Sequence, residues 1–508
     1  MRASFRRGGR RRGSIGVLFA TMLPSLLIPV VGLGIDESRL FIVQAQLQSA
    51  VDGAALGSGR LLGTDANTTE IAGEFLQADY PTGFWGSTNL QSNIGYTKTF
   101  IMNKITISAS VDVPLMFSKI LGQYQSLVTA YAEATRKETR VELVIDRSGS
   151  MTELSTLQAT AAQFVESFIS GYDELGLVVF SNSGVVLYPT TRPYNASTTS
   201  SGGPDTSFET TQTNGNLLTM INDLGSGGFT NMSEGLALAY IELQKANYRD
   251  QDPTRLNAIV LFTDGFPNAV SLYPNNPSSN SLLSTSKCKY NPATAGTTTA
   301  DLDTQIVGWA GGSPGGTGAP FGMYFLANTA TDSNTTAYWA TYKNKPDQAI
   351  GTGYLATAVT SCADLGAGTP NLGDLKQIPS TNYWGDSTSD TGYTTAFSAS
   401  GSSYSGRTYT STSPNVGGNI GIAAWNTTDA VSRRILGDTT LNPTIYVIGY
   451  NGSEGNPDSY LLNRLANTTA STDYNSTYQA GQYVLASDPA ALAEAFQAVA
   501  ASILRLAQ

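Results

Sequence analysis

Histidine is absent from this 508-residue chain. That excludes Ser-His-Asp and Cys-His catalysis, imidazole-held metals and a histidine pH switch. Cysteine is nearly absent: Cys288 and Cys362 alone cannot make a disulfide-dense scaffold, a four-Cys zinc site or a four-thiolate iron–sulfur cluster. Charged residues are only 13% of the chain, about half the usual share. What is present is a 41% apolar content with 52 glycines, enough for a large core and against wholesale disorder. At roughly 150 residues per domain the length suggests about three units.

The net charge of −10 is unevenly laid out. Arg2, Arg6, Arg7, Arg10, Arg11 and Arg12 make a head of +6, since no acid precedes Asp36; the remaining 23 cations against 39 acids leave −16. A basic head can be a nucleic-acid arm, but the uncharged run Ser14–Ile35 follows it. As a helix, those 22 residues are about 33 Å long, enough to cross a bilayer core. Pro24 and Pro29 are tolerated better in such a helix than in a soluble one. The arginines then place the N-terminus (1–13) in the cytoplasm and the bulk outside, with residues 14–35 as a single-pass anchor. A cleaved signal peptide is the alternative, but the run exceeds the usual h-region and no small-x-small site directly follows it. A buried core helix fits the arginine cluster worst.

After the anchor, Leu40, Val43, Leu47, Val51 and Ala54 fall on one helical face. KITISASVDV (104–113) alternates like a half-buried strand, VPLMFSKILG (113–122) reads as a short amphipathic turn, and SLVTAYAEATRK (126–137) alternates again. Residues 36–137 therefore read as a long helix on a small sheet, a pilin-like α+β module. The segment RRRGSIGVLFATMLPSLLIPVVGLGIDESRLFIVQAQLQSAVDGAAL (10–56), with VPLMFSKILG and the Ala/Thr-rich strand after it, resembles TadG-like proteins of the tight-adherence (Flp) pilus-assembly system.

From 141 the pattern changes to an α/β one. VELVID (141–146) is a buried parallel-type strand ending in a carboxylate, followed by Asp146-Arg147-Ser148-Gly149-Ser150 and a helix with an apolar stripe of Leu154, Leu157, Ala161, Phe164 and Phe168. GSGGFTNMSEGLALAYIEL (225–243) sets Thr230 before a second helix, and AIVLFTDG (258–265) ends another strand at Asp264. Hard oxygens from three loops at strand ends suit Mg²⁺ or Ca²⁺ and not Zn²⁺ or Cu. The ordered set D-x-S-x-S, Thr230 and Asp264 resembles the metal-ion-dependent adhesion site (MIDAS) of the von Willebrand factor A (VWA) domain. That resemblance implies a doubly wound, Rossmann-like sheet over 141–508. It also implies a Mg²⁺ (or Ca²⁺ or Mn²⁺) ion held directly by Ser148, Ser150 and Thr230. Asp146 and Asp264 would orient bound waters, and an open position would take a partner's carboxylate. Arg147 departs from the pattern: a guanidinium beside a cation costs energy unless it points outward.

The rest of the domain is traceable: a hairpin from ELGLVVFS (174–181) and VVLYPTT (185–191), a short helix LLTMINDL (217–224), closing strands IYVIGY (445–450) and QYVLAS (482–487), and a last helix capped by Asp488-Pro489. Two Gly/Ser/Thr-rich stretches, 191–215 and 266–415, enlarge it. The longer one, with helical content expected at TAYWATYKNKPDQAI (336–350), lies beside the metal edge and should have structure or function of its own. Cys288 and Cys362 both fall in it; in an oxidising compartment they would form a disulfide, the alternative being two separate thiols.

These readings lead to a non-enzymatic protein of the bacterial inner membrane, its bulk periplasmic or surface-exposed. Its partners would be pilus or envelope proteins presenting an acidic group, with no nucleic acid involved. Alternatives are a VWA accessory subunit of an AAA-ATPase or chelatase complex, and a structural envelope protein whose metal site is unused. A hydrolase in the insertion would need a carboxylate pair, since no nucleophile–base pair is visible.

Overall fold

The computed structural model describes residues 13–63, 67–98, 102–189, 203–210, 216–250, 255–272, 288–290, 298–299, 306–312, 321–326, 359–362, 375, 377–382, 384–389, 404, 407–414, 418–451 and 457–507. Packing divides the chain after Lys137 into two units.

The first unit is organised by one 47-residue helix, α1 (Gly13–Gly59), which runs without interruption from the uncharged run into the amphipathic stretch. Its C-terminal half buries Val43, Leu47, Ala50, Val51, Ala54 and Ala55, with Leu40 partly buried in the same cluster. A second helix that the sequence pattern had not singled out, α2 (Thr68–Asp79), is capped by the Asn67 side chain and buries Ala72 and Leu76. The antiparallel strands β1 (Thr88–Lys98), β2 (Met102–Pro114) and β3 (Gln125–Lys137) form a sheet in that order. In β2, Ile105, Ile107, Ala109, Val111 and Val113 are buried and every intervening residue is half-buried, as period-2 geometry demands of a sheet with one covered face. Between β2 and β3 lies a single 3₁₀ turn, Ser118–Leu121, which closes at Gly122 with φ 86°.

The second unit begins with β4 (Thr139–Asp146), α3 (Leu154–Val165), β5 (Glu174–Phe180), β6 (Gly184–Tyr188), α4 (Leu217–Asn222), α5 (Met232–Asp250) and β7 (Leu256–Thr263). Then come β8 (Ala269–Leu272), β9 (Cys288–Tyr290), β10 (Thr298–Thr299), β11 (Ile306–Gly311), β12 (Phe321–Leu326) and β13 (Val359–Cys362). It ends with α6 (Asn419–Leu436), β14 (Thr444–Tyr450), α7 (Ser459–Leu465), β15 (Gln482–Ala486) and α8 (Pro489–Ala507). The main sheet has the order β15-β14-β7-β4-β5-β6. All neighbours are parallel except β6, which returns antiparallel to β5. Every residue of β4, β5 and β14 is buried, because both faces are covered. Residues of α3, α4 and α8 share one core cluster, and residues of α5, α6 and α7 share the other. The sheet is thus doubly wound.

Helix α8 is, by length and composition, apolar enough to cross a membrane. Its Leu492, Ala495, Phe496, Val499 and Ile503 are instead buried in the domain core, and Asp488 caps it through the amides of Ala490 and Ala491. It is a core helix of this domain.

The expanded region after β7 contains strands of its own. One sheet runs β12-β11-β8 and another β10-β9-β13, both antiparallel. The register of the second places Cys362 opposite Cys288. The helical content expected at 336–350 lies outside the described residues.

Candidate metal centre

Three loops at the C-terminal edge of the main sheet bring the five expected residues together. Asp146, the last residue of β4, is fully buried. One carboxylate oxygen accepts the Ser148 amide at 2.8 Å, the other the Thr263 hydroxyl at 2.6 Å. Ser148 and Ser150 hydroxyls lie 2.9 Å apart, and Ser150 donates to the Asp264 carboxylate at 2.8 Å. Thr230 is placed by Gly265: a Cβ there would stand 3.6 Å from both Ser150 Oγ and Thr230 Oγ1, so the two hydroxyls converge on one backbone position.

Backbone bonds fix the loops. Arg147 N–H donates to Phe180 C=O at 2.9 Å, Gly227 N–H to Arg147 C=O at 2.8 Å, and Gly149 N–H to Gly228 C=O at 2.9 Å. Gly149 and Gly228 are needed for this approach. A Cβ on Gly149 would come within 3.3 Å of the Gly228 carbonyl, and Gly228 has φ 88° with Asn182 against it. The sequence leaves open whether Arg147 points outward. Stitched on both sides, Arg147 is 1% exposed, so it sits inside the loop.

A second layer of asparagines escaped the sequence reading. Asn182 Oδ1 accepts the Phe229 amide at 2.6 Å. Asn268 Oδ1 accepts the Thr230 amide at 2.6 Å, while the Thr230 carbonyl accepts the amides of Asn268 and Ala269. Asn231 donates to Asn182 C=O, Glu234 and Ser271. The expanded region joins this layer: Gly312 N–H donates to Asn268 C=O at 2.8 Å, and the Trp309 and Phe229 rings lie 5.7 Å apart. This edge of the sheet is therefore packed against β8 and β11. Thr263, in the strand segment AIVLFTDG, and Asn231, directly after Thr230 in GSGGFTNMSEGLALAYIEL, carry a sequence signal; Asn182 and Asn268 do not.

Burial, and then the neighbouring Asp264 carboxylate, push the Asp146 carboxyl above its ordinary range, against the lowering by Thr263 and Ser148. Two carboxylates held this close in low dielectric favour either a shared proton or a cation. Among the described residues no three acidic, cysteine or histidine side chains gather into a ligand cluster; this set is hydroxyl-rich, and its hard oxygens match Mg²⁺, Ca²⁺ or Mn²⁺.

Residues 141–266 match the von Willebrand factor type A domain family, and residues 13–60 match the Flp pilus-assembly TadE/G-like family. The chain thus carries a TadE/G-like segment ahead of a VWA domain. Its VWA match stops at Phe266, where the expanded region begins; β14 and β15 complete the sheet from beyond it, and α8 packs in the core. No curated protein matches the chain. Solved structures similar to it include the pilus adhesin SpaC from Lactobacillus rhamnosus GG in its open conformation, at 10% identity and TM-score 0.33 over 82% of this chain and 34% of that one. Another is the adhesive tip pilin GBS104 from Group B Streptococcus agalactiae, at 11% and 0.29 over 80% and 67%. A third is the ArnB paralog VWA2 from Sulfolobus acidocaldarius, at 15% and 0.16 over 35% and 37%. The chain thus spans about a third of the SpaC structure's length.

Proposed function

We propose that this TadG-like protein is a non-enzymatic, membrane-anchored envelope component that serves pilus assembly and adhesion by binding an acidic group of a protein partner through a divalent cation. The observation that carries the reading is the convergence of Ser148, Ser150 and Thr230 hydroxyls with the Asp146 and Asp264 carboxylates at the sheet edge. Ser148, Ser150 and Thr230 would hold the ion, with Asp146 and Asp264 orienting its waters. The bound cation would act as a Lewis acid for an incoming carboxylate. Asn182 and Asn268 would keep the Thr230 loop in place whether or not the ion is bound.

The basic head and uncharged run support an inner-membrane anchor with a cytoplasmic N-terminus and an exported bulk. The register opposing Cys288 and Cys362 supports a disulfide there in an oxidising compartment. An accessory role beside a cytoplasmic ATPase is disfavoured by the same anchor.

A specific observation favours a second reading, in which the ion only braces its loops: Asp146, Ser148, Thr230 and Asp264 are all buried, and Ser150 alone is half-buried. The two readings share the first test. Mg²⁺ at a hundredfold excess over its dissociation constant should stabilise the wild-type fold by about 2.7 kcal/mol, read as a rise in melting temperature that Asp146→Ala with Ser148→Ala abolishes. No divalent-ion shift in wild type would overturn both. A pull-down of envelope proteins then separates them. Partner capture lost in the double variant supports adhesion, and capture unchanged leaves the ion a brace. An alkaline phosphatase reporter fused after Arg140 should be active, and inactivity would overturn export.

A further inference from the structure

The junction between the uncharged run and the amphipathic half of α1 carries a structure of its own. Asp36, the first acid of the chain, is 2% exposed. Its carboxylate accepts the amides of Met116 at 2.8 Å, Phe117 at 2.9 Å and Ser118 at 2.8 Å, and the Ser118 hydroxyl at 2.8 Å. Burial raises this carboxyl, but these four donors outweigh it and hold the group at about 2. The loop after β2 is thereby tied to the helix at the level where the uncharged run ends. Arg39 fastens a second loop there: its guanidinium donates to Pro114 C=O at 2.8 Å and to Trp85 C=O.

The tied loop reaches further down. Phe117 covers Gly32, where a Cβ would come within 2.5 Å of the ring. Gly32 lies inside the uncharged run, about 6 Å along the helix axis before Asp36. Around this loop the side chains are apolar and uncovered: Ile120 is 72% and Leu121 67% exposed, and Trp85, Met116 and Tyr124 are exposed beside them. A cleft of about 360 Å³ lined by Ile35, Ser38, Arg39, Ile42, Trp85 and Met116 opens at the same height. Lys119 sits within the same turn and is exposed. Apolar residues rimmed by Trp, Tyr, Lys and Arg are the composition of a membrane–water interface.

We propose that the loop 115–124 with Trp85 is a membrane-seated collar, in which Met116, Ile120 and Leu121 enter the acyl boundary of the bilayer that α1 spans, while Lys119 and Arg39 meet lipid phosphates. The occupant is lipid because α1 is continuous: a surface packed on Gly32 stands at bilayer depth whenever residues 14–35 span. The collar therefore rests on the anchor reading and adds that the first unit is seated on the membrane, restricting tilt of α1 against it.

The test uses the full-length chain with Cys288→Ser and Cys362→Ser, reconstituted into phosphatidylethanolamine/phosphatidylglycerol vesicles containing doxyl-labelled lipid. Single cysteines at Leu33, Leu121 and Lys98 carry the environment-sensitive fluorophore NBD. All three positions are exposed, so the substitutions leave the core intact, and Lys98 stands at the far end of the β1–β2 ladder. The expected result is blue-shifted emission and loss of most intensity at Leu33 and Leu121, with Lys98 unaffected. Quenching at Leu33 but not Leu121 overturns the collar and leaves the anchor standing. That is also the result expected if Ile120 and Leu121 cover a protein partner. No quenching at Leu33 overturns the anchor and the collar together, and quenching at Lys98 equal to that at Leu121 overturns the collar.

Discussion

The sheet of the first unit and the main sheet of the second solve different burial problems. In the first unit one face of β2 meets α1 and the other stays half-open, so buried and half-buried residues alternate along its 13 residues. In the second, helices cover both faces, and β4, β5 and β14 are buried at every position. The comparison teaches that a strand's residue pattern reports how many faces are covered, which in turn decides what each position tolerates.

The largest expected effect concerns charge that two-sided burial has enclosed. At the N-terminal end of β4, Arg140 is wholly buried and donates to Glu174 and Asp250, each at 2.6 Å. Arg249 and Arg255 share the same two acids. Burial raises the Asp250 carboxyl, but the three arginines bring it below its ordinary range. Replacing Arg140 with Leu removes one partner of a buried pair, which costs about 3–5 kcal/mol. Arg249 and Arg255 still pair with the acids, so the loss is not expected to exceed that range. Urea unfolding of the VWA unit measures it, and a change within error would mean that this network is not enclosed.

Next comes a direct test of the one-faced and two-faced sheets, using positions three apart so that they point to opposite sides. Ile445 and Ile448 of β14 belong to different core clusters. Each replaced by Ala is expected to cost about 2–5 kcal/mol. In β2 the equivalent pair is Ile107, fully buried, and Ser110, half-buried. Ile107→Ala is expected to cost about 2–5 kcal/mol and Ser110→Ala to stay within about 0.5 kcal/mol. Equal losses at Ile107 and Ser110 would break the comparison.

The same contrast explains what could be read in advance. Alternation at 104–113 and the continuous run at 141–146 were legible because core packing writes itself into period and length. Asp146, Thr230 and Asp264 stood out because each closes such a run or precedes a helix, and Ser148 and Ser150 because they alternate directly after Asp146. β1 was not: Leu90 and Ile94 are its only half-buried positions, four apart, and this gives no strand period. Helix α2 was missed for a similar reason, since Ala72 and Leu76 are its buried apolar residues. Asn182 and Asn268 had no signal at all. Their roles arise when the chain closes over 47 and 38 residues, a relation absent from any local window. The orientation of Arg147 was open for the same reason, since only the stitched loop determines which side of it is inside.

The smallest expected effect sharpens the comparison from the exposed side. Lys104 on β2 pairs with Glu133 on β3 at 3.3 Å, and both side chains are about a third exposed, at 31% and 37%. Like the Arg140–Glu174 pair it joins neighbouring strands, yet here water reaches both charges. Tyr131 donates to Glu133 at 2.9 Å, so the carboxylate keeps a partner when the lysine is gone. Exposed pairs are screened by salt and gain little over hydrated charges. Lys104→Ala should therefore leave the melting temperature of the first unit unchanged, and raising ionic strength should not separate variant from wild type. A clear loss that salt removes would mean the open face of β2 is less solvated than its half-buried residues indicate, and that something covers it.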